Sequence, residues 1–397
     1  MELSRRVQAI KESPTLAVTA RAARLKAEGR DIIGLGAGEP DFDTPQHIKD
    51  AAKKAIDSGF TKYTPVAGIP GLKKAIVEKF KRENGFDYTT NEVIVGVGGK
   101  QCIFNLALAV LNPGDEVIVP APYWVSYADI AIVAEARPII VECGIEQGFK
   151  LTPAQLEAAI TPQTKLFMIN SPSNPTGSVY TLEELKALGE VLKKHPRVLI
   201  ATDDMYEHIN LTGTPFVNIL NANPDLKSRT IVLNGVSKAY AMTGWRIGYA
   251  AGPAHIIKAM EILQSQSTSN PTSIAQVAAQ AALEGDQGCL EPMIKAFRER
   301  HTYVVDRFNK MPGLKCLRAG GAFYAFPDAR EVITRLHAAG KLKEATDLAL
   351  SDYLLETVGV AVVPGSAFGA DGYFRISFAT SMDNLRNALD RIEQALS

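Results

Sequence analysis

Histidine and cysteine are both scarce in this chain. Its 397 residues include only six histidines and four cysteines. Cys102, Cys143, Cys289 and Cys316 lie far apart and form no CxxC pair. That spacing excludes a disulfide framework and a cysteine zinc site, and it suits a reducing compartment. No HExxH or HxxxH pair occurs either, so no metal is expected. An excess of one charge is missing: Lys+Arg and Asp+Glu number 43 each. With no basic block, neither a nucleic acid nor an anionic membrane is expected as a partner. Long apolar runs are absent too. The longest uncharged stretch, residues 262–283, is broken by Ser, Thr, Gln and Pro, so it reads as no membrane span. The opening "MELSRRVQAIKESPT" lacks the apolar core of a secretory signal, and a cytoplasmic location is expected. Standard nucleotide motifs are missing as well. "GVGGKQ" has Ile94 where a Walker A needs its first glycine and Gln101 where it needs Ser or Thr. "GLGAGEP" has the wrong glycine spacing for GxGxxG and runs into Pro40.

What is present is an ordinary globular composition, 46% hydrophobic and 22% charged, at a length that predicts two or three domains. Seven β-branched runs occupy the middle of the chain: "NEVIVGVG", "DEVIVPAPY", "ARPIIVECG", "KLFMINSP", "VLIATDDMY", "TIVLNGVSK" and "RIGYAAGP". Helical patterns separate several of them, over about 100–111, 126–133 and "TLEELKALGEVLKKH". In the last, Thr181 and Glu184 form a capping box. Strands alternating with helices predict an α/β fold, a mostly parallel seven-stranded sheet sandwiched by helices. After about Glu291 the pattern becomes that of a smaller α+β unit. It has a long charged helix, "GAFYAFPD", a helix over about 345–357, "GVAVVPG", "YFRISFAT" and a terminal helix. The expected division is 1–45 packing with the small domain, 46–290 as the large domain, and 291–397 as the small one.

One lysine stands out. In "NGVSKAYAMTGWRIGY", Lys238 sits just past an apolar strand, at the edge where open α/β sheets bind ligands. Burial there lowers a lysine's pKa and frees its amine for Schiff-base chemistry, with a carbonyl substrate or with pyridoxal phosphate (PLP). The second option makes further demands that can be checked. A carboxylate must keep the pyridine nitrogen protonated, and Asp203 ends another strand, with Tyr206 nearby to donate to the ring oxygen. The phosphate needs a cationic fork and backbone donors. Arg246 offers the first, and Gly99 with Lys100 opens a helix whose amides offer the second. Trp124 can wall the ring, and Asn174 in "NSPSNPTG" can aim an amide at the ring oxygen and a substrate carboxylate. Taken singly, each has a plainer reading: a solvent-reaching lysine, a turn-capping aspartate, a core tryptophan, an Asn-Pro turn. Together they are five strand ends carrying the groups that one cofactor requires.

The ordered set "GAGEPDFDTP", "KYTPVAGIPGLKKAI", "GGKQ", "PAPYWVSY", "NSPSNPTG", "TDDMYEHI", "SKAYAMTGWRIGY" and "FRISFATS" resembles class I (fold type I) PLP-dependent aminotransferases. The likeness runs the length of the chain and is strongest to the bacterial aspartate/prephenate aminotransferase subgroup. It implies that Lys238 holds PLP covalently, with Asp203 and Tyr206 as its catalytic partners. It implies that Arg375 clamps the substrate α-carboxylate beside the Gly38 amide. Strand alternation alone places Arg375 with Tyr373 and Ser377 on a face that reads equally well as solvent-facing. The resemblance further implies a homodimer with shared sites, Tyr63 reaching the neighbouring subunit's cofactor phosphate. Lys100 would meet a side-chain carboxylate, and Lys11 would serve prephenate use. Many relatives carry a phosphate-binding serine three residues before the lysine. Gly235 stands there instead, leaving Ser237 as the candidate hydroxyl. The implied reaction is ping-pong transfer of an amino group between aspartate or glutamate and a 2-oxo acid, with prephenate as a further acceptor. An aromatic aminotransferase, or a C–S lyase or cyclopropane-forming synthase on the same fold, is the alternative. A PLP-sensing regulator would need a DNA-binding segment that the sequence does not show.

Overall fold

The structure, a computed structural model, describes residues 2–10 and 14–397. Lys11 lies outside them. Twelve strands are present among these residues: β1 (Ile33–Gly34), β2 (Val93–Val97), β3 (Glu116–Ala121), β4 (Arg137–Glu142), β5 (Thr164–Asn170), β6 (Leu199–Asp203), β7 (Thr230–Gly235), β8 (Ile247–Ala251), β9 (Tyr324–Ala325), β10 (Val360–Ala361), β11 (Val363–Pro364) and β12 (Phe374–Ser377). Strands β2 to β8 are the seven expected runs. They form one sheet in the order β2-β8-β7-β6-β5-β3-β4. Only β8 runs against its neighbours, pairing antiparallel with both β2 and β7.

The apolar runs are continuous because both faces of the sheet are covered. Along β7, Ile231 and Leu233 face one layer while Val232 faces the other, and Leu166 and Met168 alternate with Phe167 and Ile169 along β5. One layer holds helices Gly99–Val110, Ser126–Val133 and Ala254–Ser265, joined where Asn105 Nδ2 donates to Gln264 Oε1 at 3.0 Å. The other holds Pro70–Lys79, Leu182–Lys193 and Ser273–Glu284. Each fully buried aliphatic or aromatic side chain in these layers contributes about 1.5–3 kcal/mol. The capping box forms as the sequence predicts: Glu184 N donates to Thr181 Oγ1 at 3.2 Å and Thr181 N to Glu184 Oε2 at 2.8 Å.

The rest of the chain builds two smaller sheets. β1 pairs in parallel with β10, so the N-terminal segment is tied to the C-terminal elements. β11, β12 and β9 form an antiparallel trio beside helices Glu291–Phe308, Asp347–Val358 and Met382–Leu396. Helix Asp347–Val358 starts two residues later than its pattern suggests, because Thr346 caps it through Ala349 N. In β12 all four residues are buried. The solvent-facing reading of Arg375 is therefore wrong: the strand is covered on both sides, and Arg375 is only 2% exposed.

Candidate active site

The C-terminal ends of β2, β3, β5, β6 and β7 share one edge of the large sheet, where a cavity of about 240 Å³ opens. The reversal of β8 completes this edge. Its N-terminal end lies there, so Arg246, immediately before β8, joins residues that follow the other strands. Lys238, Asp203, Tyr206, Asn174, Trp124, Gly99, Lys100, Ser237, Arg246, Gly38 and Arg375 all line this one cavity. Tyr63 does not, and it is 93% exposed.

Lys238 Nζ donates to the carbonyl of Gly38 at 2.5 Å. Burial pushes its pKa down to about 8. Arg375 and Arg246 push the same way, while Glu39 and Asp203 oppose them. A lysine poised there gives up its proton far more readily than an exposed one, about a tenth of it being free amine at pH 7. Asp203 Oδ2 accepts from Tyr127 Oη at 2.5 Å and Oδ1 from Met205 N at 3.2 Å. Burial raises its pKa, with the Tyr127 and Met205 bonds pulling back, so a cation placed against it would be strongly held. Asp204, its neighbour, points elsewhere, taking bonds from Thr202 Oγ1 and Asn218 Nδ2 at 2.6 Å each.

The Arg375 guanidinium reaches the cavity from β12. It donates to Asn174 Oδ1 at 2.8 Å and to the carbonyl of Gly36 at 2.7 Å, and it lies 4.4 Å from the Tyr324 ring centroid. Its buried Nε has no partner. An unpaired donor on a buried cation costs several kcal/mol unless an anion completes it. The Lys100 ammonium stands 4.9 Å over the Trp124 ring centroid, its pKa lowered first by burial and then by Arg246.

Glycines clear the ground between these groups. A Cβ on Gly248 would lie 2.2 Å from Gly99 N, and one on Gly98 would lie 2.2 Å from an Arg246 nitrogen. Gly98 also has φ +79, which other residues adopt only under strain. Bare backbone, a twelve-residue helix N-terminus and a guanidinium thus meet in a cradle shaped for a phosphate. Gly235 has a reason of its own. A Cβ there would lie 3.0 Å from Gly248 Cα and 3.1 Å from the Ile247 carbonyl, so any larger residue would press the β8 backbone aside by a few tenths of an ångström.

The profile described as "Aminotransferase class I and II" matches residues 30–392. The chain belongs to this family. Its members use pyridoxal phosphate, and the cavity's donors, cations and cleared backbone fit that group. An aspartate/prephenate aminotransferase from Nitrosomonas europaea is 66% identical over the full length of both chains. One from Cereibacter sphaeroides is 56% identical over 98% of each. Among solved structures, the aspartate aminotransferase of Rhizobium meliloti superposes with a TM-score of 0.94 at 50% identity, covering 100% of this chain and 99% of that one. The aspartate aminotransferase from Thermus thermophilus with maleate gives 0.92 at 44%, covering all of both chains.

Among the cavity residues that escaped the sequence reading are Tyr127 and Tyr324. Tyr127 stands three residues after Trp124, one helical turn, and that spacing was the available signal. Tyr324, within "GAFYAF", carried none that distinguishes it from the aromatic core around it. Away from the cavity, ligating atoms of Glu83, Glu207 and His208 come within 4.8 Å of one another. The buried Lys79 ammonium already fills that corner, bonded to Glu207. No helix among the described residues is long and apolar enough to cross a membrane.

Proposed function

We propose that the protein moves amino groups between aspartate or glutamate and 2-oxo acids, with 2-oxoglutarate, oxaloacetate and prephenate as acceptors. The observation that carries this reading is the placement of Lys238, with its lowered pKa, and the buried Arg375, with its orphaned Nε, in one cavity. Bound there, pyridoxal phosphate supplies a carbonyl carbon for the amino group and a protonated ring that draws electrons from the substrate Cα.

The chain's own residues do the rest. Arg375 takes the α-carboxylate through its fork, assisted by the Gly38 amide and Asn174. Lys238 Nζ removes the Cα proton and returns it on the other side of the exchange as general base and then acid. Asp203, held by Tyr127, keeps the ring nitrogen protonated. Tyr206 and Asn174 donate to the ring oxygen, and Trp124 covers the ring. The Gly99 amide, Ser237 and Arg246 hold the phosphate, and Tyr63 reaches the phosphate of a second subunit in a homodimer. Lys100 meets the side-chain carboxylate. Support for a dicarboxylate comes from the aspartate-named relatives and from the solved relative with maleate, itself a dicarboxylate. We also read residues 46–290 and 291–397 as separate domains, with 1–45 attached to the second.

The test is donor selectivity. Lys100→Ala should raise the KM for aspartate at least tenfold more than for alanine or an aromatic amino acid. Equal losses for all donors would remove Lys100 from the substrate and the dicarboxylate preference with it.

A further inference from the structure

Tyr324 belongs to a part of the chain that no cofactor or substrate role yet reaches. It is fully buried on β9, opposite Ser377 of β12, and its hydroxyl enters the cavity. There its Oη lies 2.8 Å from Tyr206 Oη. The two rings meet nearly edge-on, 5.8 Å between centroids at 78°. The Arg375 guanidinium lies 4.4 Å from the centroid of this ring and 4.9 Å from that of Phe368. One side chain thus touches both the group read as donor to the ring oxygen and the group read as carboxylate clamp.

A hydroxyl has one proton. If Tyr206 gives its proton to the cofactor's ring oxygen, the bond to Tyr324 survives only with Tyr324 as donor. The two hydroxyls then form a chain in which Tyr324 polarises Tyr206 and strengthens its donation. The ring, meanwhile, is a desolvated platform for a cation, where cation–π attraction is strongest. Resting on the aminotransferase reading above, we propose that Tyr324 is a positioning residue with two separable parts: its hydroxyl sets the donor strength of Tyr206, and its ring holds Arg375 in place to receive the substrate carboxylate.

The charged and titratable groups facing this corner are Asp203 on the same turn as Tyr206, Tyr127, which donates to Asp203, Arg375 from β12, and Lys238, which itself faces Glu39 and Arg246. All are retained in the variants below. The full-length protein is loaded with PLP, and its visible absorption is titrated against pH in wild type, Tyr324→Phe and Tyr324→Leu. A ring oxygen less well stabilised as an anion holds its shared proton more tightly. Tyr324→Phe should therefore move the midpoint up by about half a pH unit and leave the KM for aspartate within about twofold. Tyr324→Leu should give the same shift and also raise that KM about fivefold. A purely structural tyrosine would lower the melting temperature without moving the midpoint. An unmoved midpoint in Tyr324→Phe overturns the hydroxyl role, and an unmoved KM in Tyr324→Leu overturns the ring role. Should the leucine variant not fold, the midpoint of Tyr324→Phe decides the proposal. Wild type without visible absorption would refute the parent reading; wild type that titrates, matched by Tyr324→Phe, would refute this inference alone.

Discussion

Replacing Lys238 with methionine should stabilise the cofactor-free protein, by an amount that depends on pH. An unfolded lysine holds its proton up to about 10.5, whereas folding pushes Lys238 down to about 8. Below pH 8 the lysine is protonated in both states, and the folded protein bears the full cost of a buried ammonium. Between pH 8 and 10.5 the unfolded chain binds the extra proton, so stability rises with pH across that window. Above 10.5 the penalty is gone. At about 1.4 kcal/mol per pH unit, the difference amounts to about 3 kcal/mol at pH 7. For a chain of this length that is roughly 3–6 °C in melting temperature. The assay is thermal unfolding of cofactor-free wild type and Lys238→Met from pH 7 to 10.5. Methionine also loses the bond to the Gly38 carbonyl, which offsets the two curves but does not tilt them. Titrating groups with no charge interaction with Lys238 are common to both proteins and cancel in the difference. The gap should shrink as pH rises from 8 to 10.5. A gap that stays constant over that range would refute the burial of a poised amine at this position.

Three further outcomes can be measured. Lys238→Ala should lower turnover by about 10²–10⁴ while leaving the fold intact by circular dichroism, and retention of more than a tenth of wild-type turnover would remove Lys238 from catalysis. Asp203→Ala should weaken PLP binding by about ten- to a hundredfold, the loss of a charge-assisted hydrogen bond worth roughly 1.5–3 kcal/mol; normal affinity measured by fluorescence titration would reduce Asp203 to a turn cap. Gly98→Ala adds a methyl 2.2 Å from an Arg246 nitrogen at a φ of +79, so it should displace the guanidinium and weaken PLP binding about tenfold or more. An unchanged affinity there would place the phosphate elsewhere.

The sequence by itself determined the parts of this protein whose signals are local. Seven apolar runs with their helices are legible because alternation, caps and strand-ending glycines act over a few residues, as Thr181 and Glu184 show. Lys238, Asp203 and Asn174 could be gathered into one cavity for the same reason, since Asp203 ends β6, Lys238 and Asn174 lie a few residues past β7 and β5, and a parallel sheet brings those ends along one edge. Strand direction leaves no such mark. "RIGYAAGP" reads the same either way, and only its antiparallel pairing with β2 and β7 brings Arg246 to the edge where the others converge. The choice between Asp203 and Asp204 likewise rests on which carboxylate turns to Tyr127 and the cavity and which to Asn218. Arg375 is the clearest case. Its alternating strand read equally well as a solvent face, but alternation marks one only when the other face alone is covered. Here the β9–β12 sheet, Phe368 and the N-terminal segment close over both sides and leave a buried cation with one donor unmatched. That burial joins residues more than 300 positions apart, Gly36 and Arg375, and no local pattern could have encoded it.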